Sequence, residues 1–220
     1  MDKSQIIKEI EEVGPWFHQI QITDEIKTRD IAPSAGPQPL DHPMPRWKIL
    51  EQFLPTILHG QKVLDIGCAD GFFSIELAKR GASVLAVDAS APHIKRLNWV
   101  IKTLDIPNIQ TRVSTLEELE RTERFDFIYM IALLYHLKNP LLGLEILSVI
   151  TRKLFLETVL WNKVEGPYLY LRPPIPGVQG SPRWLPTHEC VLEMLAFTGF
   201  KKIERLPDPS VNRGIYLAEK

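Results

Sequence analysis

The spacing of apolar residues changes several times along the chain, and each change predicts a different element. Ile6, Ile7, Ile10 and Val13 recur at helical intervals among charged residues, so the chain opens with an amphipathic helix, closed by Gly14-Pro15. WFHQIQI follows as a short strand-like run. Across 31–46, five prolines (Pro33, Pro37, Pro39, Pro43 and Pro45) remove backbone donors and fix φ. That stretch reads as an extended strap or lid, free of helix and central strand. Helical spacing returns over 46–58 through Trp47, Leu50, Phe53, Leu54 and Ile57.

From residue 61 the pattern becomes regular. Strands are expected at KVLDIG, SVLAVD, IQTRVS, FDFIYMIALLY and KLFLETV. Helices are expected at FFSIELAKRG, APHIKRLNWVIKTLDI, LEELERT and NPLLGLEILSVIT. Strands separated by helices of this length specify an α/β fold, with a parallel sheet covered on both faces. After Trp161 six prolines loosen the pattern, a helix is expected near 188–198, and FKKIERL and GIYLAE close the chain as an antiparallel pair. The expected division is 1–60, holding the first helix, the WFH segment and the strap, and 61–220, holding the sheet.

Composition narrows the setting. The 220 residues suit one domain with a full core. A net charge of −1 counts against a surface built to grip nucleic acid. Two cysteines, Cys68 and Cys190, make neither a disulfide framework nor a metal motif, so no metal is expected. No window approaches the roughly 20 apolar residues of a membrane span, and the N-terminus has no signal-peptide core. A cytoplasmic protein is expected.

The candidate chemistry lies at LDIGCADG. Asp65, Gly67, Ala69 and Gly71 alternate between a buried strand and a helix, where small residues let a ligand approach the backbone. Asp88 ends the next strand, placed to accept hydrogen bonds from ribose hydroxyls. A dinucleotide site would need a third glycine where Phe72 stands, and a pyrophosphate would avoid Asp65 and Asp70. A sulfonium ligand with an amino group suits both acids.

Together LDIGCADGFFSIELAKRGA, VLAVDAS, FDFIYMIALLYHLKNP and LFLETV resemble the successive motifs of class I methyltransferases. LYHLKNP, followed by LETV, RWLPT, GF and NRG, resembles the tRNA wobble-uridine carboxymethyltransferases and their short relatives. The resemblance implies a Rossmann-like fold whose mostly parallel sheet has seven strands and a terminal antiparallel hairpin, and S-adenosylmethionine as cofactor. It assigns Asp65, Gly67, Cys68, Ala69 and Gly71 to the methionine end, Asp88 and Ala89 to the ribose, and Thr115 and Leu116 to the adenine. Ile131 would face the methionine part, Tyr135 would point into the reaction centre, and Arg213 matches an arginine that holds a carboxylate on a modified cofactor. The long N-terminal extension of those enzymes does not appear in this sequence, which counts against both a carboxylated cofactor and tRNA.

Catalytic candidates are His136, Tyr135 and His18, since a hydroxyl acceptor needs a group to take its proton. His18 reads equally as a solvent-facing residue beside an apolar staple. Trp16, Arg172, Trp184 and Arg213 are candidates for acceptor binding; Arg183 and His188 border the same Pro-rich segment, which reads equally as a packed loop. The leading expectation is O-methylation of a small-molecule hydroxyl. The alternatives are methylation or carboxymethylation of tRNA wobble uridine, and a non-catalytic S-adenosylmethionine-binding regulator.

Overall fold

The computed structural model describes residues 2–34, 39–173, 183–207 and 212–220. Pro37 of the expected strap, Pro174, Pro176 and Pro182 of the later Pro-rich segment, and the Arg183 side chain lie outside the described residues. The helices are α1 (Lys3–Val13), α2 (Thr28–Ile31), α3 (Met44–Leu50), α4 (Phe72–Lys79), α5 (Ala91–Leu104), α6 (Pro140–Ile150) and α7 (His188–Phe197). The strands are β1 (Lys62–Ile66), β2 (Ser83–Asp88), β3 (Ile109–Val113), β4 (Phe127–Ile131), β5 (Lys153–Val159), β6 (Leu169–Arg172), β7 (Arg183–Pro186), β8 (Lys202–Leu206) and β9 (Arg213–Glu219). Seven of them form one sheet in the order β3-β2-β1-β4-β5-β9-β8. β9 runs antiparallel to both β5 and β8, giving the closing hairpin the pattern predicts. Its side chains are mostly buried, whereas β8 (KIERL) is mostly exposed, so the apolar strand lies inside and the charged one forms the edge.

The backbone groups into two units, Met1–Gln61 with Cys68–Ser114, and Lys62–Gly67 with Thr115–Lys220. In the first, β2 and β3 pair in parallel from Val84↔Ile109 to Asp88↔Val113, and α4 and α5 pack on them. Helix α1 starts where the Asp2 carboxylate accepts the Gln5 N–H at 2.9 Å, and it buries Ile6 and Ile10. Trp16 is fully buried beside it. Its indole N–H donates to the Ile10 carbonyl at 2.9 Å, and its ring meets Trp99 at 5.6 Å.

WFHQIQI forms no strand, only isolated bridges at Trp16↔Pro33 and Gln21↔Lys27. Its backbone is satisfied partly by scattered loop backbone, with Trp16 N–H donating to the Ala32 carbonyl and Gln19 N–H to the His42 carbonyl, both at 2.8 Å, and partly by side chains: Asp70 accepts the Phe17 and His18 N–H groups, and the Thr28 hydroxyl accepts from Ile20 and donates to the His18 carbonyl. The expected strap is also shorter than its prolines suggest. Helix α3 begins at Met44 and carries Pro45 in its first turn, where a missing N–H is harmless. It stops at Leu50, and a 3-10 turn continues over Glu51–Phe53 rather than an α-helix to residue 58.

In the second unit β1, β4 and β5 pair in parallel, with Val63↔Phe127 and Ile128↔Leu154 in register. Asn139 caps α6 by accepting the Leu142 N–H at 3.1 Å, and Pro140 occupies its first turn. LEELERT is not a helix. Leu116 and Leu119 are buried and anchor it as a turn, while Glu118 folds back to accept the Thr115 N–H at 2.9 Å. Seven residues with two apolar anchors cannot sustain a helix against that local competition. The loose segment after Trp161 contains an unexpected antiparallel ribbon, β6 with β7, from Leu169↔Pro186 to Arg172↔Arg183. No helix among the described residues is long and apolar enough to cross a membrane.

Candidate cofactor and acceptor site

Each unit carries part of the chemistry that the sequence singles out. In the first, the loop after β1 turns through left-handed backbone at Ala69 (φ 47°) and Gly71 (φ 85°). Cys68 N–H donates to the Val87 carbonyl at 3.1 Å, and Ala69 N–H donates to an Asp88 carboxylate oxygen at 2.9 Å. The other Asp88 oxygen accepts from Ser90 N–H at 2.8 Å. The half-buried Asp88 therefore uses one acceptor position on each oxygen in these bonds, and a carboxylate has further lone pairs for hydroxyl donors. Ala89, beside it, is exposed.

Gly71 is small for a different reason from the one its spacing suggests. A Cβ there would lie 2.2 Å from a Leu97 methyl of α5, so its bareness serves helix packing as well as the positive φ.

Asp70 does not face a ligand. Its side chain is fully buried. One oxygen accepts the N–H groups of Phe17, at 2.5 Å, and His18, at 3.0 Å; the other lies 2.7 Å from both His93 Nδ1 and Arg96 Nε. Burial pushes this carboxyl up, but the hydrogen bond from His93, the neighbouring charges and Arg96 outweigh it and hold the acid well below its ordinary range. Of the two loop acids, Asp65 is therefore the one left to disfavour a pyrophosphate.

Two expected site residues are corrected here. Trp16 has no exposed surface to offer an acceptor. His18 neither faces solvent nor stands open as a base. It is 5% exposed, and its Nδ1 accepts the Phe72 N–H at 3.3 Å, capping the start of α4. Burial lowers its pKa to about 4, so the ring is neutral.

In the second unit Asp65 is buried on β1, paired in register with Tyr129. Gly67 (φ 75°) approaches Leu133, whose side chain would lie 3.1 Å from a Cβ. Ile131 ends β4 in register with Glu157 of β5, and Ala132 N–H donates to the Glu157 carbonyl at 3.0 Å. The 3-10 turn Leu134–His136 then presents Tyr135, buried, and His136, exposed, with ring centroids 4.3 Å apart. Arg213 of β9 lies with its guanidinium 5.7 Å from the Tyr135 ring centroid. It donates Nε and Nη2 to the two oxygens of the fully buried Glu157, the second at 2.9 Å. Burial would lower the guanidinium pKa, but the Glu157 hydrogen bond and charge reverse that and raise it.

Thr115 is exposed and Leu116 buried after β3. Arg172 ends β6, exposed, and Trp184 donates its indole N–H to the Lys138 carbonyl at 3.1 Å, joining β7 to the loop after Tyr135 and His136. His188 Nδ1 lies 2.9 Å from the Tyr216 hydroxyl. Sequence reasoning missed Glu157, although a carboxylate inside the apolar run LFLETV is itself a signal, since a buried charge requires a partner. The His93–Arg96–Asp70 cluster left no comparable trace.

A family model described as a methyltransferase domain matches residues 42–165. Among curated proteins, the chain is 29% identical over 98 residues to a tRNA U34 carboxymethyltransferase of Desulfotalea psychrophila, covering 44% of this chain and 30% of that protein. It is 36% identical over 85 residues to a ubiquinone biosynthesis O-methyltransferase of Azotobacter vinelandii, covering 38% of this chain and 36% of that protein. These alignments span about a third of each relative's length. Among solved structures, the N-terminal domain of EvdMO1, crystallised in the presence of SAH and D-fucose, superposes with a TM-score of 0.78 at 22% identity, covering 100% of this chain and 97% of that one. That likeness shows the fold.

Proposed function

Since the chain belongs to the methyltransferase-domain family, we propose that it is an S-adenosylmethionine-dependent methyltransferase acting on a hydroxyl of a small molecule. The observation that carries this reading is the Asp88 latch: a carboxylate that fixes the strained Ala69 turn at 2.9 Å and still has lone pairs for a ribose. From the first unit Cys68, Ala69, Gly71, Asp88 and Ala89 would hold the cofactor. Asp65, Gly67, Thr115, Leu116 and Ile131 are included on the sequence resemblance, which assigns Asp65, Gly67 and Ile131 to the methionine part and Thr115 and Leu116 to the adenine. When bound, the cofactor supplies a methyl group on a positively charged sulfur.

The chain's own residues then position the acceptor and take its proton. Tyr135 and His136 lie on one 3-10 turn, and His136 would receive the hydroxyl proton as oxygen attacks. Arg172 and Trp184 would bound the acceptor. SAH and D-fucose accompany the EvdMO1 domain, and the Azotobacter vinelandii relative is an O-methyltransferase, both in keeping with a hydroxyl acceptor.

The tRNA reading draws on the Desulfotalea psychrophila relative. Arg213 weighs against a carboxylated cofactor, because its guanidinium is already held by two bonds from Glu157, and a second carboxylate would meet that buried charge.

The test incubates the protein with S-adenosylmethionine and a panel of sugars and phenols, and follows formation of S-adenosylhomocysteine. Acceptor-dependent product supports the reading. Tight cofactor binding with no product from any acceptor would favour a non-catalytic regulator. Salt-sensitive retention of tRNA on filters at two ionic strengths would favour the tRNA alternative instead.

A further inference from the structure

A cavity of about 500 Å³ opens in the first unit where the N-terminal segment and α3 meet α4. The volume lies within the range of small-ligand sites. Ile20, Met44, Phe72 and Ile75 contribute apolar lining, and Phe72 and Ile75 come from one face of α4, three residues apart.

The charges around it divide into two kinds. Asp30 accepts from the Gln19 amide at 2.7 Å, and Lys79 is paired with Glu76 at 2.7 Å. Lys27 and Asp41 also line the cavity, and among the described residues neither side chain takes part in a hydrogen bond or an ion pair. The cavity thus offers one uncommitted ammonium, one uncommitted carboxylate and an apolar floor.

That set discriminates among ligand classes. Three carboxylates (Asp30, Asp41 and Glu76) against two ammonium groups (Lys27 and Lys79) disfavour phosphate or a nucleotide. A hydrocarbon chain would cover the apolar floor but would desolvate Lys27 and Asp41 without giving either a partner. A zwitterion with an apolar body satisfies all three features at once. We propose that this cavity binds a free α-amino acid with a large apolar side chain. Its carboxylate meets Lys27, its ammonium meets Asp41, and its side chain lies against Phe72, Ile75 and Met44.

Calorimetry with L-phenylalanine, run with S-adenosylhomocysteine in excess to keep the other site out of the measurement, tests this directly. Saturable binding in the millimolar range or tighter is expected. Lys27→Ala and Asp41→Ala should each weaken it about tenfold, the loss of one charge-assisted hydrogen bond. Both residues are exposed, so the variants should fold normally, which thermal melting verifies. Phenethylamine, which lacks the carboxylate, and 3-phenylpropionate, which lacks the amine, should each bind more weakly than the amino acid. Absence of saturation with L-phenylalanine and L-leucine alike, undiminished binding in both variants, or equal affinity for the singly charged analogues would overturn the assignment.

Discussion

Replacing His18 by asparagine should flatten the acid side of the protein's stability profile. The imidazole is 5% exposed and held neutral by burial, with a pKa of about 4 against an ordinary 6.5. Asp70 pulls that value up, while His93, Arg46 and Arg29 push it down, and burial dominates them all. As pH falls below 6.5 the unfolded chain takes up a proton that the folded one refuses, so stability declines until the folded ring titrates near 4. Integrated over that window the loss is about 3 kcal/mol, a large part of a typical domain's stability. Asparagine can still accept the Phe72 N–H through its side-chain oxygen, so the cap on α4 is preserved. Asp70 acts in a separate range. Its acid is depressed in the fold, so its contribution is intact above the ordinary carboxyl value of 3.8 and fades only as pH falls below that. Urea unfolding followed by tryptophan fluorescence, at intervals from pH 7.5 to 4.5, would read the difference, since Trp16 is fully buried and responds to opening. The wild type should lose stability steeply across the window and His18→Asn should not. Parallel profiles for the two proteins would refute the reasoning.

Three further outcomes are expected. Asp88→Ala should weaken S-adenosylhomocysteine binding at least about tenfold in calorimetry, by removing hydroxyl acceptors and releasing the Ala69 turn; unchanged affinity would contradict the ribose assignment. Glu157→Ala should destabilise the protein by about 3 kcal/mol, the lower end for breaking a buried pair, because the Arg213 side chain remains 18% exposed and keeps some water; a loss below about 1 kcal/mol in urea unfolding would mean the pair is not what holds Arg213. Gly71→Ala should cost about 2–4 kcal/mol through its φ of 85° and the Leu97 clash, and a melting temperature equal to wild type would show that α5 yields easily.

The strand-and-helix alternation from residue 61, the glycine-punctuated loop and Asp88 were legible in the chain because each rests on local periodicity or on a short spacing within one strand-turn-helix unit. The closing antiparallel pair of FKKIERL and GIYLAE was legible in the same way. Long-range pairing decided the rest. Asp70 reads as one more loop acid until Phe17, His18, His93 and Arg96 converge on it from segments up to 53 residues away. His18 looks like an open base until burial and the Phe72 N–H make it a neutral cap. Arg213 reads as a free anion receptor until Glu157, 56 residues earlier, occupies it. WFHQIQI has a strand's composition, yet its backbone partners are scattered loop groups and side chains rather than a neighbouring strand. Sequence fixes which residues want burial or a partner; which partner they receive depends on chain closure across distances that no local pattern encodes.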